Sequence, residues 1–150
     1  MRMLVATIFL ALLPLAAAAH EYRAGQIVVD HPWARATSGQ TGAVFLRIRN
    51  EGTAPDRLIA AEAPDIAERV ELHVHEQDGD VMRMRKVDGI EIAPGGTAEF
   101  APGHAHLMLI ALTRRLVEGN RFTLFLIFAR AGLVEVEVGV ASAGAASSSD

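Results

Sequence analysis

The sequence predicts an all-β sandwich or barrel formed by a single domain. Three observations carry this expectation. Hydrophobic runs are short, turn residues separate them at regular intervals, and several runs alternate apolar with polar side chains. No helical periodicity competes with them, and Pro64–Arg69 (PDIAER) is expected to form one helical turn at most.

Taken in chain order, the first segment is a targeting signal rather than part of the fold. Arg2 supplies a short positive region, Leu4–Leu15 is an apolar run too short to cross a bilayer, and Ala16–Ala19 offers small residues for cleavage. Residues 1–19 are therefore read as a signal peptide, 20–140 as the β-domain and 141–150 as a disordered tail. The tail (ASAGAASSSD) is small and polar, with little to bury. Strands are expected at Gln26–Asp30, Ala43–Arg49, Arg57–Ala63, Val70–His75, Val81–Val87, Thr97–Phe100, His106–Leu112, Phe122–Arg130 and Val134–Val140. Turn signals such as Asn50-Glu51-Gly52, Asp78-Gly79, Pro94-Gly95-Gly96 and Glu118-Gly119-Asn120 lie between them. Val134, Val136, Val138 and Val140 share one face of the last strand and Glu135 and Glu137 the other, as one buried and one wet face require.

Charge and composition narrow the function. The 150 residues carry a net charge of −4 at pH 7. Loss of Arg2 with the signal takes this to about −5, a poor match for nucleic acid, which is bound by cations that neutralise phosphates. No later segment is apolar enough for a membrane helix, so stable membrane insertion after cleavage is not expected. The chain has no cysteine. That excludes a thiol nucleophile, a dithiol redox pair, a cysteine zinc site and a blue-copper thiolate. No phosphate-binding glycine loop, Ser/His/Asp arrangement or paired-carboxylate motif is recognisable, so an enzyme is not expected.

The informative anomaly lies between residues 73 and 108. If Leu107 and Leu109 face the core, alternation places His106 and Met108 on the opposite side; likewise Leu72 and Val74 oppose His73 and His75. Met1 and Met3 leave with the signal, and the three remaining methionines, Met82, Met84 and Met108, all fall in this stretch with four of the six histidines. Methionine commonly fills core gaps. Core filling does not explain why every mature methionine collects beside histidines, nor why Met82 and Met84 alternate with Arg83 and Arg85. Thioether sulfur is neutral, polarisable and selective for Cu(I), and imidazole adds affinity, so the cluster suits a soft metal.

These residues also carry a resemblance. The spacing His73-x10-Met84-x21-His106-x-Met108 resembles the copper motif of the PCu(A)C periplasmic copper chaperones. The text around it is similar as well: HPWARAT (31–37), TGAVFLRIRN (41–50), VELHVH (70–75), GDVMRMRKVDGIEIAPGG (79–96) and PGHAHLML (102–109). The resemblance implies a cupredoxin-like Greek-key β-barrel or sandwich. It implies a Cu(I) ligand set of His73, Met84, His106 and Met108. It further implies a periplasmic carrier that delivers copper to the dinuclear centre of cytochrome c oxidase, sometimes beside a Sco-type protein. The His/Met-rich tail of some family members is absent from Ala141–Asp150, which places a Cu(II) role in doubt.

Neighbouring residues remain open. His75 and Met82 are candidates for substitute ligands or for side chains that orient His73 and Met84. His104 is expected in a solvated loop, and His31 and Trp33 in a turn with a buried indole. His20 would become a free amino-terminal chelator of Cu(II) if cleavage follows Ala19. Arg83, Arg85 and Lys86 form a basic cluster that is either a solvated strand face or a docking patch for an acidic partner. Competing functions are electron transfer, which the lack of cysteine disfavours, copper homeostasis or storage, and a β-sandwich interaction module that binds no metal.

Overall fold

The computed structural model describes residues 21–148, so the expected signal peptide and His20 lie outside the described residues. Eleven strands occur among the described residues: β1 (Glu21–Ala24), β2 (Ile27–Arg35), β3 (Thr41–Asn50), β4 (Asp56–Glu62), β5 (Ala67–Asp78), β6 (Val81–Val87), β7 (Ile90–Ile92), β8 (Thr97–Phe100), β9 (His106–Leu112), β10 (Arg121–Phe128) and β11 (Gly132–Ala141). They form one continuous sheet in the order β6-β5-β9-β3-β2-β11-β10-β4-β7, with β1 added to β2 and β8 to β3. β4 packs back on β5, and β7 on β8 and β3, so the two halves of the sheet face each other across one core. The expected all-β sandwich is thereby established. β2 and β11 run parallel while every other strand pair is antiparallel, so strands far apart in sequence meet at the centre.

The core follows from alternation. Val134, Val136, Val138 and Val140 of β11 are buried while Glu135 and Glu137 are exposed. Leu124 and Leu126 on β10, Val44, Leu46 and Ile48 on β3, and Leu107 and Leu109 on β9 fill the same interior. Each fully buried aliphatic side chain contributes about 1.5–3 kcal/mol of transfer free energy.

Three local features differ from expectation. β1 (EYRA) has no hydrophobic run to announce it; Gly25, at φ +56, makes the tight turn that lays it on β2. β7 is only three residues long and lies within a turn-rich stretch. At Pro64–Ile66 a single turn forms, with the Ile66 and Ala67 amides both bonded to the Ala63 carbonyl, and β5 then begins at Ala67. Glu68 and Arg69 therefore belong to a strand.

Trp33 lies in β2 and not in a turn. Pro32 has no amide proton for the ladder, and the register shifts between Asp30 and Trp33 with His31 at φ +49. This bulge turns Trp33 to the same outer side as Asp30, where it pairs with Phe45 of β3. Trp33, Phe45 and Ala141 make a small second cluster on that face. The boundary expected at Ala141 falls on the last residue of β11, which is buried. Beyond it, Arg35 Nε donates to the Ala145 carbonyl at 2.8 Å, and Ala145 packs on the Trp33 cluster.

Candidate metal centre

Strands β6, β5 and β9 lie side by side, and directly opposed residues of an antiparallel pair project to one face. His73 stands opposite His106, Glu71 opposite Met108, and His75 opposite Met84. On its other side, His73 stands opposite Lys86. All four residues of the expected ligand set, His73, Met84, His106 and Met108, therefore occupy one face of three adjacent strands. They are not equivalent. His73 and His106 are immediate neighbours, with ring centroids 5.5 Å apart. Met108 follows two residues along β9. Met84 reaches the group from the far side, across from His75 and diagonal to His73.

His75 belongs to the same cluster, with its ring centroid 5.7 Å from that of His106. Met82 shares the face as well but lies one pair further out, opposite Gln77. The two ends of the cluster differ in exposure. His106 is buried at 6% exposure, whereas Met84 is 49% and Met82 56% exposed. β5 is bonded to β9 only as far as His73, so His75–Asp78 and their β6 partners project as a two-stranded arm. His104 lies in the exposed turn before β9, and His31 is also exposed.

The burial of His106 on what alternation alone makes an outer face comes from the aromatic pair beside it. Phe45 lies 6.4 Å from the His106 ring, and Trp33 lies 4.7 Å from Phe45, centroid to centroid. Arg35 stacks its guanidinium over Phe45 at 5.7 Å. Burial lowers the His106 pKa, with the adjacent His73 and His75 adding to the effect and a hydrogen bond to the His104 backbone opposing it. The ring thus stays neutral, the form a metal requires, to lower pH than a free histidine.

A carboxylate, Glu71, also meets this cluster. Its Oε2 lies 3.0 Å from His73 Nε2, its Oε1 3.1 Å from Arg69 Nε and 3.6 Å from Lys86 Nζ. Its pKa is lowered to about 2, first by the His73 hydrogen bond and then by that from Arg69, against the opposing effect of burial, with Lys86 helping. The other nitrogen of His73, Nδ1, is buried and is the one such side-chain polar atom among the described residues with no hydrogen-bond partner. A buried nitrogen with a free lone pair costs stability unless something takes it. Among the described residues no three His, Asp or Glu side chains converge on a common point.

The basic cluster on β6 is not a free positive patch. Arg85 pairs with Glu76, Arg83 Nε lies 3.4 Å from Asp78, and Lys86 reaches Glu71. Each cation is met by a carboxylate of β5, which favours the solvated strand face over a docking role.

The fold and the donor face define a cupredoxin-like β-domain that presents imidazole and thioether groups together. The chain belongs to the family described as "Putative lipoprotein LpqE-like", whose model matches residues 27–140. It is 28% identical over 130 residues to "Putative lipoprotein Lxx21020" of Leifsonia xyli subsp. xyli, covering 85% of this chain and 77% of that protein. Among solved structures it is similar to the copper-bound PCuAC domain from PmoF2, at 27% identity and a TM-score of 0.72, covering 82% of this chain and 98% of that domain. The apo form of that domain gives 26% identity and 0.73, covering 86% and 100%. CuI-DR1885 from Deinococcus radiodurans, at 22% identity and a TM-score of 0.62 with 85% of each chain covered, shares the fold. The resemblance to PCu(A)C proteins thus holds at the level of fold, while the family model that matches is the LpqE-like one.

Phe45, Glu71 and the ordering of Trp33 escaped the sequence reading of the site. Phe45 carries a signal in retrospect. It is a large aromatic at an alternation position shared with Arg47 and Arg49, on the polar side of its strand.

Proposed function

We propose that this chain binds one Cu(I) ion through His73, Met84, His106 and Met108 and carries it outside the cytoplasm as a metallochaperone. The observation that carries the reading is the opposed His73–His106 pair, with its buried unpartnered Nδ1, flanked on one face by Met108 and Met84. Two imidazoles and two thioethers are neutral, so the bound ion keeps its single positive charge and the set selects a soft, low-charge metal. The copper named for the PmoF2 domain, at similar fold and length, supports the same cargo here.

Release follows from the uneven exposure of the donors. His106 is held beneath Phe45, while Met84 stands on the exposed arm and is the thioether an acceptor's ligand displaces first. The acceptor we favour is the dinuclear copper centre of cytochrome c oxidase, with a Sco-type protein as an intermediate carrier. Residues 1–19, read as an export signal, support a periplasmic carrier, and the lipoprotein descriptions of its relatives agree with an extracytoplasmic site. Among the described residues no helix is long and apolar enough to cross a membrane.

The decisive experiment is anaerobic Cu(I) titration of the mature chain coupled to X-ray absorption. One equivalent bound by two sulfur and two nitrogen ligands is expected. No binding against a Cu(I) competitor would return the chain to the class of metal-free interaction modules. Three nitrogens and one sulfur would place His75 in the site instead of Met84. The position of His75, opposite Met84 and beside His106, makes that the specific alternative. Reversible redox cycling without copper loss would favour electron transfer.

A further inference from the structure

Glu71 was not among the residues the copper motif singles out, yet its carboxylate meets His73 directly. It lies on the donor face of β5, opposite Met108 and two residues before His73. Two cations hold it from either side, Arg69 on its own strand and Lys86 from β6, while its Oε2 meets His73 Nε2 at 3.0 Å. Both side chains of that last contact are largely buried, at 16% exposure for Glu71 and 14% for His73.

This contact bears on which nitrogen of a neutral His73 carries the proton. An ionised carboxylate only accepts hydrogen bonds, so the His73 nitrogen that faces it must carry the proton. In a neutral imidazole the other nitrogen then holds the free lone pair. That other nitrogen is Nδ1, the buried atom left without a partner. We propose that Glu71 is a positioning residue which, by accepting the Nε2 proton of His73, commits Nδ1 as the nitrogen that binds the metal. Arg69 and Lys86 keep the carboxylate in place for that task. Carboxylates that orient metal-binding histidines in this way typically alter affinity by about 10–100-fold when removed.

The proposal rests on the reading of His73 as a copper ligand, but its first test does not need copper. In the apo protein with 15N-labelled histidine, long-range 1H–15N correlation should show His73 protonated at Nε2. Its Hε2 proton should be visible and protected from solvent exchange. Glu71→Gln, whose amide oxygen can still accept, should retain the protected proton in part. Glu71→Leu should lose it while the backbone spectrum stays folded. On adding Cu(I) anaerobically, the Nδ1 resonance should move while the Nε2 proton persists, and Glu71→Leu should bind Cu(I) about 10–100-fold more weakly. Absence of a protected Hε2 in the unsubstituted apo protein would overturn the proposal, as would a Cu(I)-induced shift at Nε2 with loss of its proton. A protein that shows the protected Hε2 but binds no Cu(I) would refute the carrier function while leaving the Glu71–His73 arrangement standing.

Discussion

The two ends of this sandwich treat buried polar atoms in opposite ways. At the end where β3 finishes and β4 begins, every buried polar side chain is saturated. Asn50 donates to the carbonyls of Ala54 and Ile92 and accepts from the Gly52 amide. Asp56 accepts from the amides of Arg57, Arg130 and Ala131. Asp30, 5% exposed, is met by Arg49 at 2.7 Å, and its pKa is lowered because the Arg49 hydrogen bond and charge outweigh burial. At the β5–β9 end, a buried imidazole nitrogen is left with nothing to bind, beside a second buried histidine and two thioethers. Native proteins satisfy nearly all buried polar groups. One end of the molecule is therefore finished by folding alone, while the other keeps a buried imidazole nitrogen without a partner, as the proposed copper site requires.

The comparison can be broken most sharply at the finished end. Asp56→Ala should destabilise the fold by about 2–4 kcal/mol, because it strands amide groups in a half-buried loop. Urea denaturation should show the loss, and Cu(I) affinity should not change. At the open end the ranking reverses. Met84→Leu and Met108→Leu preserve volume and should cost under about 1.5 kcal/mol of stability. Each should weaken Cu(I) binding by roughly 100-fold, or about 2.7 kcal/mol. Unchanged affinity in both variants would remove the thioethers from the site.

A smaller effect is expected from pH. The folded-state pKa of His106 is lowered by burial, so its stabilising contribution is complete above the unfolded value near 6.5. As pH falls below that value the unfolded chain takes up the proton first, and the contribution declines until the folded state is protonated as well. The urea midpoint of the unsubstituted protein should therefore drop more between pH 7 and pH 5 than that of His106→Leu. Parallel curves would show that His106 is not held neutral by its surroundings. The smallest effect belongs to the arm. Replacing Arg83 and Arg85 by Gln breaks two exposed ion pairs and should cost no more than about 1 kcal/mol. Neutralising both should also leave the salt dependence of copper transfer unchanged; a changed salt dependence would restore a docking role.

Legibility in the sequence followed the range of the interactions involved. Strand alternation has a period of two and is local, so the valine face of β11 and the pairing of His106 with Met108 on one side of β9 could be read directly. β1 and β7 could not, because neither carries a hydrophobic run of its own and each exists by pairing with a neighbour. The bulge at His31-Pro32 shows the limit plainly. One extra residue reverses the facing of everything after it, so Trp33 reaches the outer face.

By itself, the sequence determined that this is an all-β chain with its imidazoles and thioethers gathered in one stretch of residues, since residue type and local periodicity suffice for both. Only the tertiary structure decided which donors are neighbours. The register of β6 on β5 sets His75, and not His73, opposite Met84; the pairing of β5 with β9 sets His73 against His106 and Glu71 against Met108. Register comes from turns and long-range packing that no local pattern encodes. It is also what buries one end of the cluster beneath Phe45 and leaves the other on an exposed arm.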